Sequence, residues 1–240
     1  MQDVLEIYDN YNRLGIKNRI ITEGKETDLV KEFINYKKEK FQASYSKKLA
    51  IFLETKIENS YPDIVFVEYN PDNYSDWNSV RNLVEKDDLK ILYQIYVKGG
   101  LDATDIVTQL GFSWKKIMIA VEHLNDSNLI TRKNKKWILT DEKKISTNNI
   151  EAVEAKLNQW GKVLQQSIIN KNFASESYAL SITQSKPSKD IVSKFKKFGI
   201  GICLQNGNGF SILREAKRLD IPVSYNSIIF NEWIGKILMN

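Results

Sequence analysis

Apolar residues along this chain follow helical spacing in some stretches and strand spacing in others. A first helix is predicted over residues 27–43, where apolar residues recur about every three to four positions. Two short apolar runs follow, at 49–53 and 64–67, and the polar connection between them predicts a β-hairpin. The next stretch, NPDNYSDWNS, is rich in turn-forming residues and indicates a linker.

The pattern changes between residues 84 and 142. Three amphipathic helices are predicted; Gly99-Gly100 ends the first, Asp102 or Thr104 caps the second and Ser113 caps the third. Two apolar strands around a basic turn follow, in ITRKNKKWILTD. Three helices and a hairpin in this length predict a winged helix-turn-helix. The rhythm L...G.S...I..AV.HL...NLI resembles that of bacterial winged-helix domains.

After the inserted region the chain returns to alternating strands and helices. Strands are predicted at 152–157, 178–182 and 200–204, with a helix over about 157–173 and a second one in PSKDIVSKFKKFG. A final strand, FSILRE, follows an NGNG turn. Because a strand-helix-strand unit places its strands in a shared sheet by right-handed crossovers, the fold class predicted is α/β.

Composition narrows the classes of function. The chain has 240 residues, one cysteine and one histidine, which excludes a disulfide framework and argues against cysteine- or histidine-based catalysis. Cys203 lies in an apolar stretch and is predicted to be a buried structural thiol, and His123 is predicted at a helix surface or a domain interface. No apolar run is long enough for a membrane span, and the polar N-terminus does not resemble a signal peptide, so a cytoplasmic location is expected. The net charge of +5 fits a polyanionic partner.

Charged residues near the strands indicate a metal site. If the hairpin turn is symmetric about residues 58 and 59, Glu54 and Asp63 stand opposite each other, about 5 Å apart at Cβ. Like charges this close repel, and a cation between them resolves the repulsion. On the later strand, alternation is expected to place Glu154 and Lys156 side by side on one face. Three carboxylates and an ammonium at one sheet edge suit metal-assisted phosphodiester hydrolysis.

These residues resemble the motif of the PD-(D/E)XK nuclease superfamily, the restriction-endonuclease-like fold. Glu54, the Pro62-Asp63 pair and Glu154-x-Lys156 carry the resemblance, together with the flanks FLETKIENSYPDIVFVEY and VEAKLNQWGKVLQQSIINKNFASESYAL. It implies a mixed sheet flanked by helices, with the winged helix inserted between the second and third core strands. The resemblance also implies Mg²⁺, with Mn²⁺ as a substitute, held by Glu54, Asp63 and Glu154. It further implies Lys156 as a catalytic residue and Gln166 facing the site.

The predicted organisation is a nuclease-like domain at 1–80 and 145–240, interrupted by a winged helix-turn-helix at 84–142. A further metal-facing glutamate on the first helix, Glu26 or Glu32, competes with the simpler interpretation of an exposed residue. Only Glu154-x-Lys156 combines an apolar strand, a preceding Pro-Asp hairpin and a following amphipathic helix. The acidic-x-Lys pattern recurs without that combination at four other places, where it is interpreted as a solvated face: 54–56, 88–90, 141–143 and 215–217.

The winged-helix region supplies the candidate DNA contacts. Those on the third helix, the element that enters the major groove in this motif, are Trp114, Lys115 and Lys116. Those in the basic turn, suited to phosphate contacts, are Arg132, Lys133, Lys135 and Lys136. The alternatives are a solvated turn, a packing role for Trp114 and a winged helix that binds protein instead of DNA.

The leading hypothesis is a divalent-metal-dependent DNA endonuclease acting on double-stranded DNA, with the winged helix positioning the substrate. The alternative is a non-cleaving DNA-binding or assembly protein that keeps a nuclease-like fold. The carboxylate set favours the enzyme, because a purely structural fold has no use for mutually repelling carboxylates. A homodimer or a partner protein stays open at this stage, as do strandedness, sequence preference and biological role.

Overall fold

The computed structural model describes residues 3–207 and 209–239. Its strands are β1 Val4–Ile7, β2 Lys48–Leu53, β3 Ile64–Tyr69, β4 Ile130–Lys133, β5 Lys136–Leu139, β6 Thr147–Ala155, β7 Glu176–Ile182, β8 Gly201–Asn206 and β9 Gly209–Arg214. Its helices are α1 Lys25–Lys40, α2 Lys86–Lys98, α3 Ala103–Leu110, α4 Trp114–Asp126, α5 Trp160–Asn170, α6 Lys189–Phe198 and α7 Tyr225–Met239.

The chain divides into two compact units. Unit 1 comprises the chain up to Tyr69 and residues Thr147–Val223, and unit 2 comprises Asn70–Ser146 and the chain from Ser224 onward. The expected nuclease-like domain had included all of 145–240, whereas α7 belongs with unit 2. The physical reason is a buried ion pair inside that unit, because Glu232 of α7 binds Arg81 at 2.7 Å.

Unit 1 is built on a mixed seven-stranded sheet in the order β1-β2-β3-β6-β7-β8-β9. Pairing is parallel between β1 and β2 and through β6, β7 and β8, and antiparallel in the β2–β3, β3–β6 and β8–β9 pairs. Helices flank this sheet, so the predicted α/β class is confirmed. The β6-α5-β7-α6-β8 segment supplies the two expected parallel crossovers.

The two faces of the sheet bury separate apolar clusters, because successive strand residues point to opposite sides. On one face, Phe33 and Ile34 of α1 pack in a core that includes Val153 and Ala155 of β6. On the other, α5 and α6 pack over strands β7 and β8, as with Val163 of α5 and Ala179 of β7. Cys203 lies buried in the α1-side core, as predicted.

The β2–β3 hairpin has the register that the sequence predicts. Leu53 pairs with Ile64, which places Glu54 opposite Asp63 one position further along. The predicted strand at 152–157 differs, because β6 begins earlier and ends at Ala155. Helix α5 also starts at Trp160 and not at 157. Residues 156–159 therefore form a short connection between β6 and α5.

Unit 2 contains α2, α3, α4, the β4–β5 hairpin and α7 around its own core. Local capping explains its helix ends: the side chains of Asp102 and Ser113 accept hydrogen bonds from backbone amides at the starts of α3 and α4. Gly99 ends α2 at a φ of 67°, a left-handed conformation that glycine adopts without strain. No helix in the described ranges 3–207 and 209–239 has the length and apolar character needed to cross a membrane.

Candidate functional site

Two carboxylates face each other where the β2–β3 hairpin leaves the sheet. Glu54 follows β2 and Asp63 precedes β3, and the Glu54 amide donates to the Asp63 carbonyl at 3.1 Å. Glu54 has a φ of 51°, in the left-handed region that a non-glycine residue occupies at a cost on the order of 1 kcal/mol. Burial raises the pKa of Glu54 to about 7, and the charge of Asp63 adds to the rise.

Arg19 lies against both carboxylates from the same side. Its guanidinium is 2.6 Å from Glu54 Oε2 and 3.9 Å from Asp63 Oδ1, so the two acids share one cation. The arginine side chain remains 54% exposed, and its guanidinium also lies 5.6 Å from the centre of the Tyr61 ring. Arg19 is therefore the cation that Glu54 and Asp63 share at the end of the hairpin.

Lys156 lies at the centre of a second set of contacts. Its Nζ donates to Glu26 Oε2 at 2.9 Å and to the Ala155 carbonyl at 2.7 Å, and it is 3.8 Å from Asp63 Oδ2. Burial alone would lower the pKa of Lys156, but the carboxylates of Asp63 and Glu26 outweigh burial and raise it. The ammonium is therefore charged and lies beside Asp63. Of the two glutamates considered on α1, Glu26 reaches this lysine, whereas Glu32 accepts a hydrogen bond from Gln205.

Glu154 and Lys156, expected side by side on one face, have hydrogen-bond partners on different helices, and the charge of each still affects the pKa of the other. The strand ends at Ala155, and Lys156 turns towards Glu26 of α1. Glu154 instead accepts a hydrogen bond from Asn170 of α5 at 2.8 Å. The Lys156 amide donates to the Leu180 carbonyl at 3.0 Å, so backbone pairing with β7 extends one residue beyond the end of β6.

Glu154 is a buried acid, and only one of its two carboxylate oxygens accepts a hydrogen bond. It is 1% exposed, and its Oε2 has no hydrogen-bond partner among the described residues. Burial, with a smaller contribution from the nearby charge of Asp63, raises the pKa of Glu154 to about 8, against the hydrogen bond from Asn170 and the charge of Lys156. Burial also raises the pKa of Asp63, although Lys156 opposes that rise. The acids of this site are thus electrostatically coupled to one another.

The predicted helix amide lies one turn away from the amide that contacts Glu154. Gln166 and Asn170 are four residues apart on α5 and share a helix face. The buried Oε1 of Gln166 has no hydrogen-bond partner in the described chain, whereas Asn170 donates to Glu154. Asn170, and not Gln166, is therefore the side-chain amide of α5 that contacts Glu154, and the role of Gln166 at the site stays a prediction.

A cleft of about 500 Å³ opens beside this group of residues. It is bounded by residues 19–27 on one side, and Glu54, Asp63 and Lys156 line it on the other. Glu154 does not line the cleft, since its side chain is buried behind it. The cleft is therefore lined by the carboxylates of Glu54 and Asp63 together with Arg19 and Lys156, and further charged side chains line its rim, namely Glu23, Lys25, Glu26 and Lys31.

The donor chemistry of the site fits a hard divalent cation. Four carboxylates (Glu26, Glu54, Asp63 and Glu154) stand against two side-chain cations, so the fully ionised group carries two surplus negative charges. The unpartnered Oε2 of Glu154 is a further oxygen donor. Within the described ranges, however, no three His, Cys, Asp or Glu side chains are arranged as a ready metal site. The convergence of Glu54, Asp63 and Glu154 on one ion stays a prediction.

Unit 2 exposes its own group of predicted contact residues. Trp114 is 52% exposed at the start of α4, Lys115 is exposed beside it, and so are the four basic residues of the β4–β5 hairpin, Arg132, Lys133, Lys135 and Lys136. None of these five cations has an ion-pair partner among the described residues. Lys116 differs, since it pairs with Asp87 at 2.5 Å. His123 lies at the helix surface, 3.3 Å from Asp88.

Two residues of the site, Arg19 and Asn170, were not identified from the sequence. Arg19 reaches the site because residues 17–19 pair with residues 54–56, a contact across 35 positions that no local pattern indicates. Asn170 could have been found from its spacing to Gln166, since residues four apart share a helix face.

No family model matches this chain, and no curated protein or solved structure shows a significant match to it. The family resemblance therefore rests on the motif residues and on the geometry described above.

Because burial disfavours the ionised form of Glu154, the stability of the protein should depend on pH. Because the folded pKa of about 8 exceeds the ordinary value of 4.5, folding takes up a proton between these limits. The contribution of Glu154 to the stability of the metal-free protein is therefore fully present below about pH 4.5 and is lost as the pH rises towards 8. We expect Glu154→Gln to remove most of this fall and to raise the free energy of unfolding at pH 8 by on the order of 2 kcal/mol. Urea unfolding at pH 5, 6.5 and 8 measures the effect, and an unchanged pH slope in the variant contradicts it.

Proposed function

We propose that this protein is a divalent-metal-dependent DNA endonuclease that hydrolyses phosphodiester bonds. The single observation that carries the proposal is the position of Lys156, whose ammonium lies 3.8 Å from Asp63 in a cleft that also exposes Glu54. An ammonium beside a pair of coupled carboxylates combines metal ligands with a cation placed to stabilise developing negative charge.

In this proposal, unit 1 is a restriction-endonuclease-like domain and unit 2 an inserted winged helix-turn-helix. The mixed sheet with α1 on one face and α5 and α6 on the other supports the first assignment. Three helices followed by the β4–β5 hairpin support the second. The chain enters unit 2 after β3 and returns at β6, which accounts for the long separation of Asp63 from Glu154.

Each site residue has a role that follows from its contacts. Glu54 and Asp63 would hold Mg²⁺ or Mn²⁺ at the cleft. Glu154 is buried behind the cleft, and its free oxygen would become a third donor only by turning towards that ion. When bound there, the ion would supply a charge that polarises the phosphate and acidifies a water molecule. Lys156 holds its proton and stabilises negative charge beside Asp63, and Glu26 and the Ala155 carbonyl orient the ammonium. Asn170 orients Glu154 from behind.

The surface of unit 2 supports DNA as the substrate. Four basic residues without carboxylate partners at the β4–β5 hairpin suit the phosphate backbone, which binds cations irrespective of sequence. Trp114 and Lys115 at the exposed start of α4 occupy the place from which such a helix reads base edges. The pairing of Lys116 with Asp87 makes Lys116 the weakest of the predicted contacts.

A non-cleaving DNA-binding protein is the second candidate, and the ion pair of Arg19 with Glu54 is the observation that favours it. In such a protein Arg19 would permanently neutralise the acids, as a structural ion pair does. An assay with supercoiled plasmid, linear duplex and single-stranded DNA, each with Mg²⁺, Mn²⁺ or EDTA, separates the two. Cleavage that EDTA abolishes supports the endonuclease. DNA binding without cleavage in either metal supports the second candidate.

The basic hairpin of unit 2 yields a separate prediction. Changing Arg132, Lys133, Lys135 and Lys136 to Gln should weaken binding to all DNA sequences, because the hairpin would no longer neutralise phosphates. The slope of log affinity against log salt should flatten by about 0.9 for each phosphate that is no longer neutralised. Changing Trp114 or Lys115 should instead alter the preference among sequences. Fluorescence anisotropy at several salt concentrations measures both effects.

A matched control exists on α6, where Lys189, Lys194, Lys196 and Lys197 are exposed. Changing these four lysines to Gln alters the net charge by the same amount and should flatten the salt slope less. Equal slopes in the two variants would show that overall charge, and not the hairpin of unit 2, holds the DNA.

A further inference from the structure

Backbone contacts fix the position of Arg19 over the carboxylate pair. The Arg19 amide donates to the Glu54 carbonyl at 2.9 Å, and the Lys56 amide donates to the Lys17 carbonyl at 2.7 Å. Between them, Asn18 forms an antiparallel bridge with Thr55. Residues 17–19 thus pair along the end of the hairpin. This backbone pairing holds Arg19 at the cleft independently of the contacts that its side chain makes.

The charge that Arg19 supplies does not satisfy the acids beneath it. Its guanidinium is 2.6 Å from Glu54 but 3.9 Å from Asp63, so one positive charge is shared unequally between two carboxylates, and Lys156 approaches only the Asp63 side, at 3.8 Å. A divalent cation would neutralise both acids, and it would compete with Arg19 for the same oxygens. Of the two partners, Arg19 is the exposed one, at 54% against 15% for Glu54, so the guanidinium can leave into solvent when a divalent ion takes the carboxylate oxygens.

A displaced guanidinium would remain inside the cleft. The backbone of Arg19 is held by the hairpin, and its side chain already lies along the Tyr61 ring. A guanidinium released from Glu54 therefore still has an aromatic surface beside it. Lys56 shares that surface, with its ammonium 5.9 Å from the centre of the ring. The planar fork of five N–H donors then points at no carboxylate and is suited to a phosphate.

We infer that Arg19 is a substrate-binding residue that exchanges partners, from Glu54 and Asp63 in the metal-free protein to a DNA phosphate in the metal-loaded protein. This inference rests on the proposed function and adds a phosphate ligand to it. It assigns Arg19 two opposite effects: competition with the divalent cation and attraction of the substrate. A merely structural arginine would have neither.

The test measures metal and DNA binding, with no need for turnover. Isothermal titration with Mn²⁺ in the absence of DNA should show Arg19→Ala binding the ion roughly 3- to 10-fold more tightly than wild type, because the competing ion pair is gone. Anisotropy with a short duplex should show the same variant binding DNA more weakly in Ca²⁺, with a salt slope lower by about 0.9. In EDTA its DNA affinity should equal that of wild type.

Two further variants sharpen the comparison. Arg13→Ala removes an exposed cation of the same N-terminal segment and should leave the Mn²⁺ affinity unchanged. Arg19→Lys keeps the charge but not the fork, so it should restore competition with Mn²⁺ while recovering little of the DNA binding. Thermal melting of each variant checks that the fold is intact.

The outcomes separate this inference from the proposed function. If wild type binds Mn²⁺ and Arg19→Ala binds it no more tightly, the exchange of partners is wrong while the nuclease proposal stands. A drop in DNA affinity that is equal in Ca²⁺ and EDTA also overturns the exchange. If wild type binds no divalent ion and cuts no DNA, the proposed function fails first, and this inference fails with it.

Discussion

Lys156→Ala should cut DNA at least about 10²-fold more slowly than wild type in a single-turnover assay. The ammonium lies 3.8 Å from Asp63, and its loss removes the only cation that touches both Asp63 and Glu26 in the described chain. The substitution removes charge where the proposed reaction develops it, while DNA held by unit 2 should bind with nearly unchanged affinity. A quench-flow or gel-based measurement of the cleavage rate at saturating protein tests the effect.

Lys38→Ala is a suitable control, because Lys38 also forms an ion pair. Its partner is Glu6, and the pair lies away from the cleft. It removes one lysine and one salt bridge, and it should leave the rate within about twofold of wild type. Turnover near the wild-type rate in Lys156→Ala would show that the catalytic assignment of this lysine is wrong. A loss of equal size in both variants would point to a general loss of folding.

Asp63→Asn should lower cleavage further, by about 10³-fold, because it removes a charged donor from the predicted metal site. The fold should persist, since an amide oxygen still accepts the hydrogen bond that the Ala155 amide donates at 2.7 Å. Removing this negative charge should also lower the pKa of both Glu54 and Glu154, as Asp63 raises each of them. Mn²⁺ titration beside the cleavage assay should show weakened metal binding.

Asp28→Asn, at an exposed position in the first turn of α1, controls for the loss of one acidic side chain. It should leave both cleavage and Mn²⁺ affinity unchanged. If Asp63→Asn retained full Mn²⁺ affinity and full cleavage, Asp63 would be a structural acid that only caps the end of β6.

Local patterns predicted much of this fold because they reflect local physics. The apolar runs of β2 and β3 and the symmetric turn between them determined the register that places Glu54 opposite Asp63. Helix α1 was predicted from its apolar spacing, and Ser113 and Gly99 marked real helix ends. Each of these features depends on residues close together in the chain.

The errors arose where distant parts of the chain decide the outcome. Helix α7 follows unit 1 in sequence, but the buried pairing of Arg81 with Glu232 places it in unit 2. The contact of Lys156 with Glu26 of α1 joins residues 130 positions apart, which no local pattern indicates. Arg19 enters the site through backbone pairing with residues 54–56, which composition and periodicity do not register.

The most direct test of the central claim is the cleavage of supercoiled plasmid by wild type and Asp63→Asn purified side by side, each in Mg²⁺ and in EDTA. The paired purification matters, because a contaminating nuclease would act equally in both preparations. The account predicts nicked or linear DNA only with wild type in Mg²⁺. Equal cleavage by the two proteins, or intact plasmid with wild type in both Mg²⁺ and Mn²⁺, would contradict it.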